Sequence, residues 1–407
     1  MKICVLAHLF PARSETFVRE HVMGLARRGH EVTVIAREVG DGISAAEFTS
    51  LEAAGVRCVY VGNPRSRLVL LVQGAISLLR TPGLARALWR PAPWKRRALV
   101  LASRYAQEVA RVAPDVVHIH FGSLAARIQR VIHGSSSFPP AVVTWHGYDV
   151  NALPKTLGNS LYRELFAAGW SHTVGSRFIH TRLCRLGAIP ARVSIIPMGI
   201  DLGRFTFRER QVHPQEPLSI ISVGRLDDVK GHSYLIEAVG ALVREGLPLK
   251  LVILGSGPNQ PALQKQVSQQ QLSDVVTLVG SVEPEMVVKA MHEADVFALT
   301  GVETAAGKVE SQGVVFAEAQ ATGLPVIGSN VGGVPESVID GETAILCPPA
   351  DVAAVVNALR FFANNREVLA QYGRQARQFV EQHFSVHLMI DSFESLYQRR
   401  PSRLPRR

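Results

Sequence analysis

The chain has 407 residues, 47% of them hydrophobic and 19% charged, with a formal net charge of +10. That length fits roughly two or three domains with cores of their own, and the hydrophobic fraction excludes a disordered chain. Four widely spaced cysteines, Cys4, Cys58, Cys184 and Cys347, form no CxxC pair, which argues against a zinc site or a disulfide framework and for a reducing cytoplasm.

In chain order, the first apolar run covers residues 3–8 and ends at His8, before Pro11 and Arg13. It is too short for a secretory leader and reads as a first buried strand. Ser14, Glu15 and Thr16 stand where that strand enters a helix, with Ser14 suited to an N-cap. Further strands are expected at residues 31–36, 56–61, 116–121, 141–145 and 173–176. His118 and His120 share one face of the 116–121 strand, a spacing able to chelate a metal, although a buried, hydrogen-bonded pair is the expectation. His146 follows the 141–145 strand. Asp149, three residues on, either orients His146, contacts an acceptor or closes an Asx-turn.

The second half repeats the style, with strands at residues 218–223, 249–254, 275–279, 296–300, 325–328 and 344–347. Short β-branched runs alternating with longer helical patterns predict parallel sheets and an α/β fold of two Rossmann-like domains. The boundary is placed in the polar, proline-containing stretch 201–218, which gives domains at 1–205 and 206–384 and a final helix with a basic tail at 385–407. The 201–217 segment is expected to act as a hinge.

Charge is uneven. Through residue 200 there are 25 Lys and Arg against 11 Asp and Glu, a balance of +14; the remainder holds 19 against 23, or −4. No acid occurs between Glu52 and Glu108, whereas Arg57, Arg65, Arg67, Arg80, Arg86, Arg90, Lys95, Arg96, Arg97 and Arg104 do, interleaved with Leu68, Leu70, Leu71, Leu78, Leu79, Leu84, Leu88, Trp89 and Trp94. That mixture suits an anionic membrane surface. No nucleic-acid motif accompanies the charge. The longest greasy stretch, 68–79, is broken by Gln73, Gly74 and Ser77 and is shorter than the ~20 residues needed to span a bilayer.

Two features carry chemistry. After the 218–223 strand comes Gly224-Arg225, then Lys230-Gly231, so a guanidinium and an ammonium stand at the carboxyl end of a strand, where ligands bind in open α/β sheets. Both suit phosphate oxygens. Later, Glu310 and Glu318 flank Gly313 at the start of an apolar helical run. If the helix begins near Gly313, the free N–H groups of Val314 and Val315 take an anion, and Glu318 lies about 7.5 Å along the axis, able to accept from the two hydroxyls of a ribose. Glu310 then points at whatever the diphosphate carries.

Together these residues resemble glycosyltransferase family 4, the retaining group 1 transferases of GT-B fold. The likeness runs through Gly224-Arg225-Leu226 to Lys230-Gly231, the Gly255-Ser256-Gly257-Pro258 turn, the Glu310/Glu318 pair and Gly332-Gly333-Val334-Pro335-Glu336. In the first half it includes Thr144-Trp145-His146-Gly147-Tyr148-Asp149 and Ile196-Pro197-Met198-Gly199-Ile200-Asp201, and the Ser14-Glu15-Thr16-Phe17 start looks most like the exopolysaccharide and colanic-acid branch. The resemblance implies two Rossmann-like domains facing across a cleft and a C-terminal helix that crosses back to the first. It implies transfer of a sugar from a nucleoside diphosphate, UDP by default over GDP, to a hydroxyl of a lipid-linked or saccharide acceptor, with retention and without a metal or other cofactor.

In that reading His146, Arg225, Lys230 and Glu310 are catalytic. The donor is held by Gly224, Arg225, Lys230, Gly255, Gly257, Val282, Glu310, Gly313, Val314, Val315 and Glu318, and Ser14, Glu15, Thr16, His146 and Asp149 approach sugar or acceptor. The chain departs from the family's double-glycine loop near Ser14. The expected workplace is the inner face of the cytoplasmic membrane. A GT-B nucleotide-sugar 2-epimerase or a non-catalytic nucleotide-sugar-binding partner of a polysaccharide assembly would share much of this pattern. A nicotinamide dehydrogenase is disfavoured because the Gly255-Ser256-Gly257 turn lacks its third glycine.

Overall fold

A computed structural model describes the chain except residues 41–42, 63–66, 82, 90–94, 134–137, 212–214 and 400–407. It divides into two compact units, Met1–Gly199 with Val386–Arg407, and Ile200–Ser385. The division falls at Gly199/Ile200, where the sequence reading puts it at 205/206.

The first unit holds a parallel sheet of β1 (Lys2–Leu9), β2 (Glu31–Glu38), β3 (Arg57–Tyr60), β4 (Val116–His120), β5 (Ala141–Trp145), β6 (Ser171–Val174) and β7 (Val193–Ile195). Their order is β3-β2-β1-β4-β5-β6-β7, with Ile3 opposite both Val32 and Val116. β1, β4 and β5 are buried on both faces over most of their length, because helices cover both sides of a parallel sheet, and β4 carries His118 and His120 into that interior. The helix Arg96–Val112 supplies one cover, burying Leu99, Ala102, Ser103, Ala106 and Val109 at helical spacing. Two expectations shift. β6 stops at Val174, because Ser176 accepts from the Ile179 N–H and caps the next helix; β7, three residues long, is too short to show periodicity.

The helix Val386–Gln398 belongs to this first unit. It buries Val386, Met389, Ile390, Phe393 and Tyr397 and packs on the helix Thr16–Arg27. A Cβ on Gly24 would sit 2.6 Å from Ile390 Cγ1, so only glycine admits this contact. Arg28 pairs with Asp391, and His30 bonds Glu394 at 2.7 Å.

The second unit repeats the plan with β8 (Leu218–Val223), β9 (Leu249–Leu254), β10 (Val276–Gly280), β11 (Val296–Leu299), β12 (Val326–Ser329) and β13 (Ala344–Cys347), ordered β10-β9-β8-β11-β12-β13. In both sheets the order reverses between the first and fourth strands, the doubly wound pattern whose crevice at the strand carboxyl ends takes ligands. The segment read as a hinge is bound into this unit at least through Arg210: the Arg377 Nη1 donates to Phe205 O at 2.9 Å, and the Arg210 guanidinium is buried among carbonyls. The four cysteines are free thiols. Among the described residues no helix is long and apolar enough to cross a membrane.

Candidate active site

At the switch point of the second sheet, β8 ends at Val223 and the chain turns through Gly224 and Arg225 to the buried Leu226. This turn lies directly on the one after β9. Leu226 N–H donates to Ser256 O at 3.0 Å, and a Cβ on Gly255 would fall 1.9 Å from Gly224 O. Gly255 and Gly257 are thus needed first for backbone-on-backbone packing, which holds the Gly224-Arg225 turn in place. Val282 follows β10 and packs half-buried against the unit's core.

The Lys230 loop is tied to the neighbouring strand end. Thr300 Oγ1 donates to Gly231 O at 2.7 Å, Val302 N–H donates to Val229 O at 2.9 Å, and the Lys230 stem lies over Gly224. Lys230 Nζ then pairs with Glu310 Oε2, their side chains 21% and 17% exposed. Burial alone would push the Glu310 carboxyl up, but the Lys230 ammonium and the N–H groups of Ser311 and Gly313 outweigh it and hold the carboxyl below its ordinary 4.5. Glu310 is fixed from behind as well: Gly333 N–H donates to Glu310 O at 3.0 Å, and a Cβ on Gly332 would meet that same oxygen at 2.1 Å. The Gly332-Gly333 turn therefore serves as a cradle for the Glu310 loop.

Gly313, at φ +82°, precedes the helix Val314–Ala321. The N–H groups of Val314 and Val315 open this helix, and Glu318 is half-buried one turn further on. Arg225 is more open, its side chain 70% exposed with Nε 3.6 Å from Asp227 Oδ2. Asp228 is exposed and accepts from Asn259 Nδ2 at 2.6 Å.

In the first unit the strand ends gather a second group. His146 follows β5 and is half-buried, with Phe17 and Phe121 against its ring. Burial lowers its pKa to about 3, so it is neutral. Asp149 does not orient it. Its two oxygens accept from Gly122 and Ser123 N–H at 3.0 and 3.2 Å, so it caps the helix Gly122–Ile132 from within the core. That sealed position removes it as an acceptor contact. Burial raises Asp149 to about 6 and, with Asp149 nearby, Glu15 to about 7. Glu15 Oε2 is sealed without a hydrogen-bond partner among the described residues. The cap position of the helix Thr16–Arg27 falls on Glu15, the side chain of Ser14 lies outside the described residues, and Thr16 opens the helix half-buried.

His118 and His120 are the buried, hydrogen-bonded pair expected, joined by two residues that sequence reasoning missed, His21 and Tyr397. No spacing in the chain could have linked residues so far apart. Missed likewise were the Lys230–Glu310 pairing and Arg210.

The family description "Glycosyltransferase Family 4" matches residues 14–204, and "Glycosyl transferases group 1" matches residues 203–379. The putative colanic acid biosynthesis glycosyltransferase WcaL of Salmonella typhimurium is 31% identical over 409 residues, 98% of this chain and 100% of that protein. The amylovoran biosynthesis glycosyltransferase AmsK of Erwinia amylovora is 27% identical over 412 residues, 98% of this chain and 100% of that protein. Among solved structures, Anabaena Alr3699/HepE in complex with UDP and glucose aligns at TM-score 0.75 and 18% identity, covering 98% of this chain and 100% of that one. Sucrose-phosphate synthase from Thermosynechococcus elongatus aligns at 0.73 and 20%, covering 98% of each. With both halves matched in order and full-length relatives at this identity, the chain belongs to glycosyltransferase family 4, is a glycosyltransferase, and has the GT-B fold.

Proposed function

We propose that the chain transfers a sugar, with retention, from a nucleoside-diphosphate sugar, UDP-linked by preference, to a hydroxyl of a lipid-linked or saccharide acceptor in exopolysaccharide synthesis. The observation that carries this is the Lys230–Glu310 ion pair, set at the sheet's switch point and followed in sequence by the helix start at Val314 and by Glu318. The anomeric C–O bond breaks with its electron pair leaving on the diphosphate, the acceptor oxygen bonds the same carbon, and the acceptor proton passes to the departing phosphate oxygen. As the diphosphate gains charge, Lys230, Arg225 and the N–H groups of Val314 and Val315 bind it more tightly, which lowers the barrier. These groups are offered in the role a divalent cation would otherwise fill. Glu310, kept ionised, accepts from hydroxyls of the transferred sugar, and Glu318 accepts from the ribose. His146 contacts the transferred sugar. Support for UDP comes from HepE, which was solved in complex with UDP and glucose; retention is what the family resemblance implies.

A thermal-shift panel tests the donor assignment, since a ligand that binds only the folded chain raises its stability. UDP at 100 times its Kd should add about 2.7 kcal/mol, and Glu318→Ala should abolish most of that shift while the unliganded melting temperature stays within a few degrees. A UDP shift that survives Glu318→Ala intact would remove the ribose role.

The acceptor side is assigned to an anionic membrane surface. In the basic interval, Leu79 and Trp89 are 86% and 89% exposed, beside exposed Arg80, Arg86, Lys95, Arg96 and Arg97. Part of the interval is core: Leu84 is buried, Leu88 packs on the core, and Arg104 bonds Gln73. Arg65, Arg90 and Trp94 lie outside the described residues, as do the side chains of Arg67, Leu68, Leu70 and Leu71. At about 1 kcal/mol per contacting cation, Arg80→Ala with Arg86→Ala should cut partitioning onto anionic vesicles about 30-fold. Equal sedimentation with neutral and anionic vesicles, or none with either, would remove the membrane assignment.

A further inference from the structure

Seven side chains of the first unit form one unbroken file of hydrogen bonds. Thr173 Oγ1 meets Thr144 Oγ1 at 2.6 Å, and Thr144 Oγ1 meets His118 Nε2 at 2.7 Å. His118 Nδ1 meets the Tyr397 hydroxyl at 2.6 Å, which meets His21 Nε2 at 2.9 Å. His21 Nδ1 meets His120 Nε2 at 3.0 Å, and His120 Nδ1 meets His146 Nε2 at 3.3 Å. Every member but His146 is buried. Burial keeps all four imidazoles neutral, so each ring has one N–H and one bare nitrogen.

With one proton per group and six links, one proton is left over. It lies at Thr173 if all point that way, at Thr144 or Tyr397 if that hydroxyl accepts twice and strands its own buried hydrogen among the described residues, or at His146 if all point the other way. The two ends are not equivalent. If protons point toward Thr173, that hydroxyl accepts from Thr144, and its own hydrogen, fully buried, has no acceptor among the described residues. An orphaned buried donor is expensive. If protons point the other way, Thr173 donates, each following group accepts and donates in turn, and His146 accepts at Nε2. The proton of His146 then sits on Nδ1, the ring nitrogen that no group among the described residues engages.

We infer that Tyr397, reaching in from the C-terminal helix, is a positioning residue whose file of hydrogen bonds from Thr173 to His120 holds His146 as its Nδ1–H tautomer, a donor toward the sugar and not a base. The inference rests on the sugar-contact role of His146 proposed above. A metal held by His21, His118 and His120, whose nearest ligand atoms lie within 4.8 Å of one another, is the competing use of the cluster. It would need bare nitrogens where the file needs N–H groups.

The test is long-range proton–nitrogen NMR on protein labelled with 15N-histidine, with His146 assigned from a His146→Gln variant. The wild type should show His146 protonated on Nδ1 by at least about tenfold over the other tautomer. Tyr397→Phe and, beyond His118, Thr144→Val each break the file without changing packing volume much, and each should turn His146 into a tautomer mixture. In transfer assays kcat should fall about tenfold with the donor KM unchanged. Wild-type His146 protonated on Nε2, a tautomer untouched by both variants, or stoichiometric metal on the cluster would overturn the inference. A tautomer that responds as expected beside unchanged kcat would uphold the file and instead sink the contact between His146 and sugar.

Discussion

Lys230→Ala should lower kcat/KM by about 10³-fold, the scale on which removal of one group that stabilises transition-state charge acts. Two consequences follow from one deletion. The leaving diphosphate loses its ammonium, and Glu310 loses the partner that keeps its carboxyl low. Breaking a buried pair by removing one partner costs about 3–5 kcal/mol; with both side chains about a fifth exposed, roughly 2 kcal/mol is the discounted expectation. The folded pKa of Glu310 is depressed, so the stabilisation is present above its ordinary 4.5 and is lost as pH falls through the lowered folded value. The stability gap between wild type and variant should therefore be full at neutral pH and close in acid. The double variant Lys230→Ala/Glu310→Gln separates the consequences: it should recover the melting temperature and none of the turnover. Near-normal turnover in the single variant would refute the assignment of the site.

Arg210→Met should produce a large loss of stability. The guanidinium is buried and donates to five carbonyls: Met291, His292 and Ala294 at 3.1, 3.1 and 2.6 Å, and Thr322 and Gly323 at 2.6 and 3.3 Å. These are the unsatisfied ends of the helices Pro284–Glu293 and Val314–Ala321. One cation at two helix C-termini also meets both helix dipoles favourably. Burial lowers its pKa to about 10, yet it remains charged near neutrality. Methionine fills the space and strips the donor from Met291, Ala294 and Gly323 O, while Thr322 O keeps the Arg208 N–H at 3.2 Å and His292 O keeps Arg208 Nη1 at 3.4 Å. A loss of about 3 kcal/mol or more is expected, which at 2–4 °C per kcal/mol is a fall of about 6–12 °C in melting temperature. Because Val314–Ala321 is the helix whose other end is assigned to the diphosphate, the UDP-induced shift should weaken too. A variant that melts with the wild type would show these carbonyls to be satisfied otherwise.

Period, composition and turn residues were enough to read the sheets. Apolar β-branched runs placed twelve of the thirteen strands among the described residues to within a few residues, since a strand buried on both faces is unbroken in hydropathy. The turn glycines were legible for a similar reason: a residue such as Gly313, which has no Cβ to clash at φ +82°, leaves a local mark. Gly224-Arg225, Lys230, Glu310 and Glu318 could be marked because each stands beside such a signal, a strand end or a helix start.

Partners were beyond reach. That Lys230 holds Glu310, that Asp149 caps a helix opened 27 residues earlier, and that Tyr397 bridges His21 across 376 positions depend on which chain segments meet in space. Local pattern encodes the conformation of a segment, because backbone sterics and the burial period act over a few residues. A hydrogen bond between distant side chains leaves no period at all, and it decides whether a given histidine or carboxylate is free for chemistry or already engaged.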